Sequence, residues 1–175
     1  NTFTCVDETL TPTYAVQGSG ARSPLVPDGS FESTDDYFVS GVVTAVTTGL
    51  YKGFWLQDAN GDNDAATSDG LFVFTSQAPT DVEPGMQVCA GGKVKEFFSF
   101  TELDASGNNW EVIDTVGELA ATDLVVDEGE TLDDALERHE GMKVRLTQTS
   151  DMVVTRNFGF DFDAFRNNMV LSHDE

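Results

Sequence analysis

The apolar residues of this chain fall in short β-branched and aromatic runs, each cut off by Gly, Pro, Asn or Asp. Almost nowhere is a 3.6-residue apolar period sustained for the roughly 10–12 residues a helix needs, so the chain must fold mainly as strands. The longest run begins at Tyr37 and carries Phe38, Val39, Val42, Val43, Ala45 and Val46, with Gly41 inside it. That reads as a long strand with a bulge or bend, the kind of first strand that serves both sheets of a small Greek-key barrel. Further strands are expected at Phe54–Gln57, Leu71–Phe74, Met86–Phe98 with a kink at Gly91-Gly92, Phe100–Leu103 and Trp110–Ile113. Met142–Thr147, Met152–Thr155 and Met169–Leu171 extend the β pattern toward the C-terminus.

One helix is expected. Thr131 stands three residues before Asp134, acidic residues fill the first turn, and Gly141 follows the end. Leu132, Ala135, Leu136 and His139 then share one helical face. Residues 1–36, rich in Thr, Ser, Gly, Pro and Asp, read as an irregular lead-in, and residues 37–175 as one β domain. The fold class is therefore all-β: a Greek-key barrel with one short helix and a C-terminal β extension.

The formal charge of the 175-residue chain is −22, which repels phosphate backbones that proteins normally grip with clustered Lys and Arg. With 39% hydrophobic residues and 13 Phe there is still ample material for a core. No stretch approaches the roughly 20 apolar residues that cross a bilayer, so no membrane partner is expected. Starting at Asn1 and ending at His173-Asp174-Glu175, the chain reads as a piece of a longer polypeptide.

Cys5 and Cys89 are too few for a disulfide framework and too isolated for a zinc site. One reading is a bridge between them, as an oxidising compartment allows. The other is a buried Cys89 with Cys5 pairing elsewhere.

The loop Asp58–Asp69 places oxygen ligands at Asp58, Asn60, Asp62 and Asp64, with an acid twelfth at Asp69, which follows the spacing of a calcium loop. Asn63 stands where such loops have Gly, and strands flank the segment, so this is no EF-hand. Structural Ca²⁺ is weighed here against a solvated acidic turn. For nucleic acid, Lys93, Lys95, Phe97, Phe98 and Phe100 lie together, with Lys143 and Arg145 as further cations, and Phe158, Phe160, Phe162 and Phe165 alternate with polar residues. Exposed aromatics stack bases at about 1–3 kcal/mol each, but period-two phenylalanines also describe a buried strand face. His139 and His173 lack a neighbouring nucleophile, so no catalytic residue is assigned.

The order of motifs is more specific than any one of them. Val16-Gln17-Gly18-Ser19-Gly20 with Ser23-Pro24-Leu25, then Val39–Val46, Gly53–Asp58, Ala66–Phe74, Gly85–Glu96 with Phe98, Thr101–Leu103, Glu140–Val144, and Val154-Thr155 with Asn157-Phe158, run in sequence over about residues 15–172. Together they resemble the OB-fold-like domain of secreted bacterial nucleases of the ExeM type. The resemblance implies an extracellular accessory module, without catalytic residues, ahead of an endonuclease/exonuclease/phosphatase-type domain that would use Mg²⁺ or Ca²⁺. The expected partners are that domain and, more weakly, DNA. The rival from another class is a calcium-stabilised secreted β-domain for carbohydrate or protein adhesion, which would present Trp55 or Trp110 to a glycan.

Overall fold

A computed structural model describes residues 3–147 in full and the backbone over 152–161 and 166–173. It divides into two compact units, Asn1–Arg145 and Leu146–Glu175. In chain order the elements are α1 (Thr13–Gln17), β1 (Glu32–Thr48), β2 (Lys52–Gln57), β3 (Gly70–Phe74), β4 (Met86–Glu96), β5 (Thr101–Asp104), β6 (Trp110–Thr115), β7 (Thr122–Leu124), α2 (Leu132–Glu137), β8 (Val144–Leu146), β9 (Met152–Asp161) and β10 (Arg166–His173).

The all-β expectation holds. Six strands form one mixed sheet in the order β1-β2-β3-β5-β4-β6, in which β1 also pairs with β4. Only β3 and β5 run parallel. The 17-residue β1 reaches both neighbours by dividing its length: Glu32–Val42 pairs with β4, and Val42–Thr48 with β2. Gly41 sits where β1 changes partner, and a Cβ there would stand 3.0 Å from the Gln57 carbonyl oxygen. The expected irregularity is a register shift just beyond, between Val43 and Ala45.

Alternation sorts the side chains. Val39 and Val43 of β1, Phe54 and Leu56 of β2, Leu71 and Val73 of β3, Val88 and Val94 of β4 and Leu103 of β5 fill the interior. Their neighbours in register, Trp55, Phe72, Phe74, Lys93, Lys95, Glu102 and Asp104, therefore share the opposite face.

Two boundaries differ from expectation. β1 starts at Glu32, not Tyr37, because its polar first half is held by the partner strand: Glu32 opposes Lys95, Asp36 opposes Lys93, and Ser33 Oγ accepts the Val94 N–H at 3.0 Å. The lead-in also contains a second helix, α1, bracketed by Pro12 and Gly18. Five residues are too few to show a helical period, yet Val16 is fully buried and joins the core with Val26.

The Thr131 capping box forms as expected, with Asp134 N–H on Thr131 Oγ1 and the Asp134 carboxylate on the Thr131 N–H. The apolar face it heads is only partly used: Ala135 and His139 are buried, while Leu132 and Leu136 stay half exposed. Cys5 and Cys89 are bridged. In the second unit β9 and β10 pair antiparallel, giving longer strands than the expected Met152–Thr155 and Met169–Leu171. Phe162 and Phe165 of the alternating phenylalanines lie outside the described residues, as do the side chains of Phe158 and Phe160.

Candidate functional site

The face opposite the core is half aromatic and half ionic. Across the strands one row runs Trp55, Phe72, Glu102, Lys95, Glu32, and the next runs Phe74, Asp104, Lys93, Asp36. Trp55 and Phe72 have ring centroids 4.8 Å apart, and Phe100 tilts onto Phe72 at 5.8 Å. Two connections border the aromatic half: Gly49–Tyr51 between β1 and β2, with Leu50 exposed, and Phe97–Phe100 between β4 and β5.

The β4–β5 connection is the more unusual. Phe97 and Phe100 exchange N–H to carbonyl hydrogen bonds at 2.9 and 3.1 Å, leaving Phe98 and Ser99 as a two-residue loop with φ of +53° and +61°. Such a turn favours Asn-Gly, and a bulky residue held there is strained. Phe98 is nevertheless 85% exposed, edge-on to Phe97. With the exposed Phe31 these rings border a cleft of about 740 Å³ that Arg22, Lys95 and Glu102 also line.

The cations on this face are committed. Lys93 Nζ lies 3.2 Å from Asp36 and donates to the Thr34 carbonyl at 2.6 Å; Lys95 Nζ lies 2.7 Å from Asp104 and 3.7 Å from Glu32. Burial, reinforced by Asp104, pushes the Glu102 carboxyl up to about 7. Lys143 and Arg145 belong to a different part of the unit, where Glu118 (3.0 Å) and Asp123 (2.7 Å) hold them. The four expected cations therefore do not converge, and each meets at least one carboxylate.

Compared with protein-family models, curated proteins and solved structures, the chain matches none.

The acidic loop folds as a succession of side-chain-capped turns. Asp58 Oδ1 accepts the N–H groups of Asn60 and Gly61, Asp62 that of Asp64, and Asp64 that of Ala66, while the Thr67 hydroxyl reaches Asp62 at 3.0 Å. Asn60 and Asp64 are exposed. Asp58, Asp62 and Asp69 do draw together: burial first, then the charges of Asp62 and Asp58, raise the Asp69 carboxyl above its ordinary range. Asp69 Oδ1 is buried without a hydrogen-bond partner. Among the described residues no group of three or more His, Cys, Asp or Glu side chains is arranged to hold a metal ion.

Trp110, one of the two expected glycan platforms, is only 4% exposed and faces the core, its Nε1–H 3.3 Å from Asp81 Oδ1. Trp55 is half buried against Phe72. His139, in the turn after α2, is buried with its Nδ1 2.7 Å from the Ala135 carbonyl oxygen; the His173 side chain lies outside the described residues. Sequence reasoning did not single out the outward aromatic row of Phe72 and Phe74. The available signal was Phe54-Trp55-Leu56 and Leu71–Phe74, apolar on both parities, which marks strands covered on both faces.

Proposed function

We propose that this chain is an OB-type accessory module of a secreted nuclease, bracing a catalytic domain, with DNA contact secondary and no bond-breaking machinery of its own. The strand order favours the OB assignment: β1 to β5 close as β1-β2-β3-β5-β4-β1 around one long shared strand, with β3 and β5 parallel. The aromatic row lies on the β2–β3 face, between the β1–β2 and β4–β5 loops, where OB folds take oligonucleotides. Fold alone does not assign that ligand.

One observation carries the ranking. Lys93 and Lys95, the two cations on the face, are already neutralised by Asp36, Asp104 and Glu32. A phosphate backbone would have to displace those carboxylates against a surrounding charge of −22. The Cys5–Cys89 bridge fits export to an oxidising compartment. A structural Ca²⁺, as part of this reading, would require the loop Asp58–Asp69 to rearrange, since the oxygens of Asp58, Asp62 and Asp64 accept local N–H groups. Mg²⁺ or Ca²⁺ chemistry would belong to the partner domain.

Fluorescence anisotropy with a labelled single-stranded oligonucleotide tests the ranking. Expected is no saturable binding below about 100 μM at 0.15 M salt, the range of non-specific association. Micromolar binding under those conditions, abolished by Lys93→Glu with Lys95→Glu, would put DNA recognition first.

A further inference from the structure

At one end of the barrel the interior closes over carboxylates instead of apolar groups. Glu96 shares strand parity with Val94 of the core, so its side chain enters the barrel end and is 6% exposed. Its Oε1 accepts the Ser23 N–H at 2.7 Å and the Thr101 hydroxyl at 2.9 Å. Its Oε2 is buried with no partner. Thr101, buried beside it, donates its N–H to Glu140 Oε1 at 3.0 Å, so one threonine bridges the two carboxyl groups. Glu137 is the third member, near enough for its charge and that of Glu96 to bear on Glu140.

Among the described residues no countercharge answers them. Arg22, next to Ser23, donates to the Ser30 carbonyl at 2.8 Å; Arg138 is taken by Glu130 at 2.6 Å and by Asp127; His139 Nδ1 is turned to the Ala135 carbonyl. Among the described residues, Glu96, Glu137 and Glu140 form no ion pair. A carboxyl drawn out of water with like charges beside it and no cation holds its proton more tightly. Burial foremost, with Glu137 and Glu96 behind it, raises Glu140 to about 7, and burial and Glu96 raise Glu137.

The same residues fasten α2 and the turn after it to the barrel. Ser68 Oγ donates to the Glu140 carbonyl at 2.6 Å, and Gln17 Nε2 bonds the Gly70 carbonyl at 2.8 Å and reaches that of Glu140 at 3.4 Å. Gly70 lies so close that a Cβ on it would stand 2.3 Å from the Gly141 carbonyl carbon.

We propose that this barrel end is a proton-operated clasp: a proton held on Glu140, beside Glu137 and the orphaned oxygen of Glu96, keeps Leu132–Met142 seated, and its loss as pH rises lets that segment lift from β3 and β5. The sign follows from linkage. A carboxyl that binds its proton more tightly folded than unfolded adds stability that is complete below the unfolded value of 4.5 and is lost as pH rises through about 7.

Amide hydrogen exchange on the full chain, corrected for intrinsic rates, tests the clasp. Between about pH 5.5 and about pH 8.5, protection at Arg138, Glu140 and Met142, whose N–H groups are bonded within the segment, should fall about tenfold or more, while the β2–β3 amides hold. Glu140→Gln, which mimics the protonated form, should keep the segment protected at the higher pH. Glu102→Gln, on the opposite face, should leave the fall intact. Protection independent of pH, or an equal fall in Glu140→Gln, overturns the proposal. Should Glu140→Gln not fold, carboxyl ¹³C titration of the wild-type chain decides: assigned signals of Glu137 and Glu140 both titrating below about pH 5 would sink it, since ordinary glutamate behaviour leaves no proton to lose. Protection at the higher pH restored by calcium alone would assign the site to a cation and likewise overturn the clasp.

Discussion

Phe98 occupies a left-handed conformation that bulky side chains avoid, and its ring gains little burial in return, at 85% exposure. Replacing Phe98-Ser99 by Asn-Gly should stabilise the chain by about 1–2 kcal/mol in a denaturant titration, because both positions then suit a type I′ turn. A loss of stability would mean that the ring packs more than its exposure indicates. Asp69 carries a related conflict, an orphaned buried oxygen beside Asp58 and Asp62. In EDTA, Asp69→Asn should raise the unfolding midpoint by about 2–4 °C as like-charge repulsion is relieved. Calcium should raise the wild-type midpoint more than the variant's; equal increments would place any calcium effect on the general acidic surface. The spacing of Asp58, Asn60, Asp62, Asp64 and Asp69 was plain in the sequence. Which of those oxygens would be spent on local N–H groups was not, since that depends on turn geometry.

At the scale of elements, the Cys5–Cys89 bridge ties the start of the chain to β4 across 84 residues. Serine at both positions should cost about 3–5 kcal/mol by the chain-entropy account, read as a lowered denaturant midpoint; a loss under about 1 kcal/mol would mean that the unfolded chain is already compact there. The strands were legible because short β-branched and aromatic runs are each cut off by turn residues, and α2 because Thr131 and Asp134 form a local cap. α1 was not, since Thr13–Gln17 is a single turn whose stability comes from burying Val16 and Gln17 against the sheet. The first five residues of β1 were hidden for a similar reason: Glu32 to Asp36 look like a loop until Lys93 and Lys95 are placed across from them.

Over the whole molecule, acidity and burial combine into a pH response. The raised Glu102 carboxyl, desolvated between Phe72 and Lys95 in its row, adds stability present below its unfolded value of 4.5 and lost as pH rises through about 7. Thermal midpoints should therefore fall from about pH 5 to about pH 8, more steeply at low ionic strength, and Glu102→Gln should flatten part of that slope. A slope unchanged in the variant would show that Glu102 is ionised throughout. Net charge could be counted beforehand, but the pairing of Lys93 and Lys95 with carboxylates could not, because only strand register brings them together. The N-terminal thirty-odd residues carry a practical lesson of the same kind. A shortened gene beginning at Tyr37 would look harmless by composition, yet it would discard Val16, Val26 and half of the crosslink, baring the apolar side chains they cover and inviting precipitation in place of a smaller working version.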